Sequence, residues 1–231
     1  MVGYGKYLFG GTSMYDYVRN KDKDFLMNMR SVCSDLINQL VQLINSEDTL
    51  YVEANLVGSG AKHLETQNNN EPIDLDYNLV ILDTNGLDIN DCREIKEYVR
   101  KLFNIVLKNN GWGDCKDSTS ALSTERRHFK QGNKTEFSID LAIITEDRES
   151  WYRLIHEKTG FVNNDRYYWN EGPDSKGLTK RVEWIKKNDL WNEVRDAYLN
   201  KKNMYLKRGD HNHPSFNVYI EAVNEVYYSN K

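Results

Sequence analysis

Acidic and apolar side chains alternate along residues 73–81, a pattern that predicts a β-strand. Successive side chains of a strand point to opposite faces, so Asp74, Asp76 and Asn78 share one face and the apolar residues share the other. Two neighbouring carboxylates repel each other unless a cation lies between them, and hard divalent cations prefer oxygen ligands. The pattern predicts a metal site, although such a pattern, taken alone, is more often a solvated strand face.

A second alternating segment, residues 135–145, contains one aspartate. Asp140 points away from Ile139 and Leu141, which face the opposite side of that strand. Three aspartates from two neighbouring strands can hold a pair of Mg²⁺ ions for in-line phosphoryl transfer. The Val-Gly-Ser-Gly turn at residues 57–60 supplies backbone N–H groups for a phosphate. This combination, in this order, favours the metal site over the solvated face.

The Gly-Ser turn, the Asp-x-Asp strand and the later lone aspartate together resemble the nucleotidyltransferase superfamily of DNA polymerase beta, over about residues 25–145. Its members include antibiotic nucleotidyltransferases, CCA-adding and poly(A) enzymes, and oligoadenylate and cyclic-dinucleotide synthases. The resemblance implies an α+β fold whose core is a small mixed sheet flanked by helices, with strand 135–145 beside strand 73–82. It also implies transfer of a nucleoside monophosphate from a nucleoside triphosphate such as ATP to an acceptor hydroxyl, with release of pyrophosphate.

The resemblance implies a role for each of the motif residues. Asp74, Asp76 and Asp140 would bind the metal ion, Mg²⁺ or alternatively Mn²⁺, and act as the catalytic residues. Asp140 would take or orient the proton of the acceptor hydroxyl. Gly58 and Ser59 would bind the phosphates of the nucleotide. The segment between Ser59 and Asp74 is longer than in most members, which implies a longer loop at that point.

Several basic residues are further candidates for nucleotide or metal binding. Lys62 and His63 follow the Gly-Ser turn, where a cation would neutralise a triphosphate, but an exposed surface lysine is the commoner case. Arg126 lies on the strand that is predicted before the lone aspartate, where it would reach a phosphate or pair with a carboxylate. His211 and His213 lie in one loop, and two histidines alone do not define a metal site.

The composition of the 231-residue chain fits a soluble globular protein, with 39% hydrophobic and 29% charged residues. No apolar run is long enough to span a membrane, and the N-terminus lacks the pattern of a secretion signal, so we expect a cytoplasmic protein. Cys33, Cys92 and Cys115 are widely spaced, and we expect buried thiols rather than a disulfide or a zinc site. The sequence does not indicate an oligomeric state.

Charge is distributed unevenly along the chain. The net charge is −4, so a uniform attraction to nucleic acid is not expected. Residues 176–208 contain ten basic and four acidic residues. This basic segment favours either an anionic substrate that bridges it to the acidic site or a solvated helix surface. The acceptor stays open between a small molecule, an RNA, a protein and a second nucleotide, and the acidic chain slightly favours the small molecule over RNA.

Hydrophobic periodicity predicts the elements that position these residues. Helices are predicted at residues 22–45, 60–67, 90–109, 147–157, 178–203 and 214–228. Strands are predicted at residues 50–57, 73–82, 119–129 and 135–145, of which the last two are expected to form a hairpin, and residues 161–175 are predicted as a loop or short hairpin. The change of pattern near residue 146 predicts a catalytic core at residues 1–147 and a mainly helical C-terminal subdomain at residues 148–231.

A catalytically silent binding module is the second interpretation of the same pattern. A nucleotidyltransferase-like fold can serve as an antitoxin or an RNA-binding partner without turnover. The presence of all three aspartates argues against a degenerate site. Neither a Gly-x-x-x-x-Gly-Lys-Ser/Thr loop nor a Gly-x-Ser-x-Gly pattern occurs, which argues against P-loop ATPases and serine hydrolases.

Overall fold

The computed structural model describes residues 14–148, 150–173, 176–210 and 213–231. Within these ranges, no helix is long and apolar enough to cross a membrane. The described chain forms a seven-stranded mixed sheet, a separate two-stranded sheet and a set of helices. The expected α+β class with a mixed sheet flanked by helices is confirmed.

The helices and strands follow one another in a mixed order. They are β1 (Tyr15–Tyr17), α1 (Val18–Lys21), α2 (Lys23–Ser46), β2 (Leu50–Leu56), α3 (Gly58–Lys62), β3 (Thr66–Asn68), β4 (Ile73–Thr84), α4 (Cys92–Asn109), β5 (Lys116–Asp117), β6 (Leu122–Ser123), β7 (Phe137–Glu146), β8 (Trp151–Glu157), β9 (Arg166–Glu171), α5 (Lys176–Lys187), α6 (Trp191–Lys207) and α7 (Ser215–Asn230). A short 3₁₀ turn at Val162–Asn164 precedes β9.

The large sheet has the strand order β2-β4-β7-β6-β5. Its central strands β4 and β7 are parallel, and β2 and β6 run antiparallel to these neighbours. β8 pairs with the C-terminal end of β7, and β9 pairs with β8. The expected position of the Asp140 strand beside the Asp-x-Asp strand is therefore confirmed.

The apolar face of β4 lies in the main hydrophobic core, together with apolar residues of α2 and α4. Leu75 and Leu79 have no exposed area there, as the alternating pattern predicts. α2 begins after Asp22 and α4 begins after Asp91, and each aspartate side chain accepts a hydrogen bond from a backbone N–H of the first turn. The three cysteines are buried free thiols, as expected.

A second hydrophobic cluster joins α5, α6 and α7, and Ile185, Val194 and Ala222 are fully buried in it. The N-terminal strand β1 contacts this cluster. Tyr15 N donates to Asn203 Oδ1 at 2.7 Å, and Asn203 Nδ2 donates to Tyr15 O at 3.0 Å. Because β1 also pairs with β3, it connects the C-terminal helices to the chain that follows α3.

The helix predicted at residues 147–157 is wrong, because β8 occupies this segment. The apolar positions Trp151, Leu154 and Ile155 recur at steps of three and four, which also fits a helix. Hydrogen bonding to both β7 and β9 makes the segment a strand. Residues 161–175, predicted as a loop or short hairpin, contain the single strand β9, whose partner β8 precedes this segment.

Three other predicted elements differ in extent. The helix predicted at residues 60–67 is the shorter α3, Gly58–Lys62, and residues 66 and 67 belong to β3. The strand predicted at residues 119–129 reduces to β6 and one isolated bridge between Arg127 and Phe137. The helix predicted at residues 178–203 is two helices, α5 and α6, and Asp189 between them adopts a left-handed φ of 58°. The division of the chain near residue 147 stays a prediction.

Candidate active site

Asp76 and Asp140 lie side by side on the two parallel central strands. Asp76 of β4 is the register partner of Asp140 of β7. Both side chains lie on the sheet face opposite to Leu75 and Ile139, which are fully buried. Both line one cleft. The parallel pairing therefore brings two of the three predicted aspartates into one site.

Asp74 lies at the margin of this site. It is the register partner of Ser138, whose Oγ donates a hydrogen bond to Asp74 Oδ1. Asp74 is exposed, whereas Asp76 is half-buried, and Asp74 is not among the residues that line the cleft. Asp74 thus lies on the same strand face as Asp76, but it is hydrogen-bonded to Ser138.

The carboxylates influence one another electrostatically. Burial raises the pKa of Asp76 from its ordinary 3.8 to about 6, and the charges of Asp140 and Asp74 add to the rise. Arg153 and Lys62 act in the opposite direction. The three carboxylates are therefore close enough to repel one another, a condition that favours cation binding.

Gly58 contacts the side chain of Asp76. Its φ of +62° lies in the left-handed region, which glycine adopts without steric penalty. A Cβ atom at this position would lie 2.5 Å from Asp76 Oδ2. The backbone N–H of Val57 also donates to Asp76 O at 2.8 Å. The Gly-Ser turn is thus packed directly against the aspartate strand, and only glycine fits there.

A cleft of about 750 Å³ lies over the two central aspartates. This volume is in the range of small-molecule binding sites. Its residues come from the Gly-Ser turn, the polar face of the sheet, β8, α5 and α7. Its apolar side is formed by Trp151, Leu178, Val182, Phe216 and Tyr219. The cleft therefore combines acidic groups on β4 and β7 with aromatic and aliphatic groups on β8, α5 and α7.

Lys62 extends from α3 into the cleft. Its Nζ donates to Gly58 O at 3.1 Å and lies 5.0 Å from the centre of the Tyr219 ring. Burial lowers the pKa of Lys62, the charge of Asp76 acts in the opposite direction, and the charge of Lys186 lowers it further. The structure thus brings one predicted nucleotide-binding lysine to the site. Ser59 is in α3 nearby and is not among the cleft-lining residues.

Arg153 also lines the cleft. It is not among the predicted site residues, because its segment is predicted as a helix. It lies on β8 with its guanidinium 5.5 Å from the centre of the Trp151 ring. Its Nε is buried and has no hydrogen-bond partner among the described residues. Strand alternation would have placed Arg153 on the same face as Trp151, and this is the signal that could have identified it.

The other basic candidates within the described residues, Arg126, His63 and His213, lie outside the cleft. Arg126 is exposed and does not line it. His63 is exposed and ends α3 in a left-handed conformation with φ of 56°. His213 lies with Nε2 3.1 Å from Glu221 Oε1. His211 is outside the described residues.

Comparison with known proteins identifies similar structures at low sequence identity. A scan against protein-family models finds no match, and a search of curated proteins finds none either. The structure of E. coli CdnC with ATP matches 92% of this chain and 62% of its own, with a TM-score of 0.58 and 12% identity. The Elizabethkingia meningoseptica CdnE cyclic dinucleotide synthase, with GTP and Apcpp, matches 83% of this chain and 68% of its own, with a TM-score of 0.51 and 12% identity. The Vibrio cholerae DncV cyclic AMP-GMP synthase, with a linear intermediate, matches 77% of this chain and 47% of its own, with a TM-score of 0.50 and 12% identity.

The chain has the nucleotidyltransferase fold. It spans less than two thirds of the length of CdnC and about half of that of DncV. At this level of identity the likeness establishes the fold alone.

The nucleotidyltransferase fold implies a divalent metal ion, and the chemistry of the residues present fits one. Asp76 and Asp140 offer carboxylate oxygens, which Mg²⁺ prefers as ligands. Asp74 could join them through Oδ2, because the hydrogen bond from Ser138 is accepted by its Oδ1. Over the described ranges of the chain, no three His, Cys, Asp or Glu side chains are grouped so that they could hold a metal ion as they stand.

Replacing Asp76 by Asn is expected to stabilise the metal-free nucleotidyltransferase fold. The pKa of about 6 in the folded chain lies above the ordinary 3.8, so the folded chain binds more protons between these values and its stability falls as the pH rises through them. A neutral Asn removes this penalty. We expect the free energy of unfolding to rise by about 1–3 kcal/mol at pH 7 and not to rise near pH 4, in urea unfolding with EDTA present.

Asp83→Asn is the matched control for this measurement. Asp83 is an exposed carboxylate further along the same strand. Its replacement is expected to change the free energy of unfolding by less than about 0.5 kcal/mol. A loss of stability in Asp76→Asn at pH 7 would contradict the electrostatic strain inferred for this site.

Proposed function

We propose that the chain is a metal-dependent nucleotidyltransferase, which moves a nucleoside monophosphate from a nucleoside triphosphate to an acceptor hydroxyl. The observation that supports this most is the register pairing of Asp76 with Asp140 at a cleft of about 750 Å³, with Gly58 packed against the first aspartate. If this were only a solvated strand face, the Asp76 carboxylate would be expected to be exposed and not to be packed against a glycine.

The donor triphosphate lies between the Gly-Ser turn and Lys62 in this proposal. Backbone N–H groups at Gly58 and Ser59 bind phosphate oxygens. Lys62 contributes a positive charge from inside the cleft, and Arg153 contributes another from β8. Two cations and a set of backbone dipoles around one cavity suit a ligand with several negative charges.

Asp140 accepts the proton of the acceptor hydroxyl. The hydroxyl oxygen forms a bond with the α-phosphorus of the donor, the bond from this phosphorus to the pyrophosphate oxygen breaks, and the hydroxyl proton passes to Asp140. A divalent cation held by Asp74, Asp76 and Asp140 would neutralise phosphate charge and lower the pKa of the acceptor hydroxyl. The chain itself contributes mainly the relative positions of donor and acceptor.

The acceptor in this proposal is a second nucleotide. Two of the structural neighbours are named as a cyclic dinucleotide synthase and a cyclic AMP-GMP synthase. Trp151, Phe216 and Tyr219 line the cleft, and aromatic rings stack on nucleobases of any identity. This choice takes the place of the unspecified small molecule that the sequence slightly favours.

The basic segment at residues 176–208 gives little support for an RNA acceptor. Lys201 pairs with Glu225 at 2.7 Å, and the guanidinium of Arg195 lies 4.5 Å from the centre of the Tyr17 ring. The residues of the segment that line the cleft are Leu178, Thr179 and Val182. None of these three is basic, so the positive charge of the segment lies mostly on other surfaces.

Incubation of the protein with Mg²⁺ and each labelled nucleoside triphosphate, alone and in pairs, tests the proposed function. We expect metal-dependent release of pyrophosphate and, by mass spectrometry, a product with one nucleotide joined through its α-phosphate to another. The double variant Asp74→Asn/Asp76→Asn should form neither, whereas Asp83→Asn should form both. Calorimetric binding of ATP without turnover of any pair would instead support the silent binding module.

RNA binding tests the acceptor class separately. We expect no measurable affinity for single-stranded RNA near physiological salt, in fluorescence anisotropy over a range of salt concentrations. If RNA is the acceptor, the logarithm of its binding constant should instead fall linearly with the logarithm of the salt concentration. The slope should be roughly −0.7 per phosphate contact. Replacing the four basic residues Lys180, Arg181, Lys186 and Lys187 by Gln would reduce that slope.

A further inference from the structure

Four charged or polar side chains form a buried network beside the sheet. Lys96 Nζ lies 2.7 Å from Asp117 Oδ1, His156 Nδ1 lies 2.7 Å from Asp117 Oδ2, and His156 Nε2 lies 3.0 Å from Asp165 Oδ2. The four side chains are between 2% and 9% exposed. The network, which we call the Lys96–Asp165 network, joins α4, β5, β8 and the turn before β9.

The Lys96–Asp165 network stabilises the fold less than apolar side chains in the same place would. Burying charges costs free energy that well-packed apolar residues would not require. Each member is nevertheless paired, and the two ring nitrogens of His156 lie against carboxylate oxygens of Asp117 and Asp165. Burial acts to raise the pKa of Asp117, but the hydrogen bonds and charges of Lys96 and His156 outweigh it and hold this pKa below its usual value.

A loop beside the network is held by its backbone carbonyl groups, one bonded to a network side chain and one to the backbone of β8. Lys96 Nζ donates to Ser118 O at 2.8 Å, and the backbone N–H of His156 donates to Thr119 O at 2.7 Å. The loop closes on itself, because Ser118 N donates to Ala121 O at 2.9 Å. Residues 118–121 are therefore fixed on one side by α4 and on the other by β8.

This loop is a wall of the candidate active site. Ser120 and Ala121 line the cleft, and β6, which follows directly, pairs Ser123 with Asp140. The sheet order places Gly58 on the β4 side of the aspartates and the loop on the β7 side. In the proposed function the donor phosphates lie with Gly58. In the proposed reaction Asp140 accepts the proton from the acceptor, so the loop lies on the acceptor side.

We propose that Lys96, Asp117, His156 and Asp165 are positioning residues, which fix loop 118–121 so that the acceptor is held against Asp140. The assignment of the loop to the acceptor rests on the proposed function. The fixing of the loop by the network does not. His156 is the central member, because it contacts both aspartates and its own strand supplies Arg153 to the cleft.

Hydrogen exchange and steady-state kinetics of His156→Phe test this proposal. Phe keeps the ring that stacks on Tyr167, at a centroid distance of 4.1 Å, and removes both side-chain hydrogen bonds. We expect amide exchange in residues 118–124 to rise at least about tenfold. We expect kcat for pyrophosphate release to fall roughly 10- to 100-fold, as for a misplaced reactant, while the Kd for ATP with Mg²⁺ changes less than about twofold.

Conservative replacements distinguish positioning from bulk packing, and they decide the matter if His156→Phe does not fold. An Asn amide nitrogen can take the place of Nδ1 and keep the bond to Asp117, whereas a Gln amide nitrogen can take the place of Nε2 and keep the bond to Asp165. We therefore expect His156→Asn to retain loop protection and most of kcat, and His156→Gln to lose both. Glu157→Gln, in an exposed ion pair on the same strand, is the control and should change neither.

Unchanged exchange of the loop in a folded His156→Phe variant would overturn the proposal, as would equal behaviour of the Asn and Gln variants. A weaker Kd for ATP that matches the loss in kcat would also overturn it, because the network would then act on the whole cleft. If the wild-type protein releases no pyrophosphate with any nucleotide pair, the proposed function fails. Exchange of the loop still decides whether the network fixes it.

Discussion

Replacing Asp140 by Asn is expected to lower the rate of metal-dependent pyrophosphate release on the order of 10³-fold. Asn has nearly the same shape as Asp, so the register pairing of β7 with β4 should persist. It lacks a carboxylate to accept the acceptor proton and to bind a metal ion, and a loss of several kcal/mol in transition-state stabilisation corresponds to this factor. The measurement is the initial rate of pyrophosphate release at saturating nucleotide and Mg²⁺.

Binding of the donor should respond much less to the same change. Gly58, Lys62 and Asp76 lie on the other side of the site and are unaltered. We expect the Kd for ATP with Mg²⁺ to weaken by less than about tenfold in Asp140→Asn, by calorimetry. Asp83→Asn should leave both quantities unchanged. A rate within threefold of wild type for Asp140→Asn would remove Asp140 from the catalytic residues.

Replacing Gly58 by Ala is expected to lower pyrophosphate release by roughly 100-fold, the order that a misplaced reacting group costs. The added Cβ would lie 2.5 Å from Asp76 Oδ2, so the carboxylate must move away from its place beside Asp140. Ala in the left-handed conformation should also destabilise the fold by about 1–2 kcal/mol. The rate, the Mg²⁺ affinity and the urea midpoint are measured on the same preparation.

Gly111→Ala separates these two effects. Gly111 has a comparable φ of +74°, and a Cβ there would meet no atom of the described residues within 4 Å. It should therefore show a similar loss of stability with normal turnover and normal Mg²⁺ affinity. Equal losses of activity in the two variants would attribute the Gly58 effect to general destabilisation.

The face on which the aspartates lie follows from sequence alone. On a strand, side-chain direction depends only on whether positions differ by an odd or an even number. Asp74 and Asp76 therefore had to share a face opposite to Leu75, and the burial of Leu75 agrees. Helices α2 and α4 can also be predicted from sequence, because the apolar stripe and the capping aspartate of each helix lie in its own segment of the chain.

The pairing of Asp76 with Asp140 cannot be predicted from the sequence of either strand alone. Nothing local to either strand specifies which strand will be its neighbour, and the expectation of this pairing came from the family resemblance. The same limit applies to strand 119–129, where only β6 and one bridge are formed. Thr124, within that segment, donates its backbone N–H to Ile139 O, and its hydroxyl oxygen accepts a hydrogen bond from the backbone N–H of Ile139, in place of a continuous ladder.

The cleft wall on β8 was missed because its sequence fits two periods. Trp151, Leu154 and Ile155 suit a helix, whereas Trp151 and Arg153 suit one face of a strand. Pairing with β7 and β9 decides between them, and this pairing is not visible in a seven-residue window. The charge of Arg153 in the site and the position of His156 in the Lys96–Asp165 network both depend on that outcome.

The cleft residues are far apart in the sequence, and this determines when the cleft can form during synthesis and folding. Val57 and Tyr219 line the same cavity, and Tyr15 is hydrogen-bonded to Asn203 across 188 residues. Contacts between such distant positions require the closure of long loops and form slowly. During synthesis the sheet strands leave the ribosome well before α7, so the aspartates spend that interval on an open surface. The binding cavity can form only once α7 has been made.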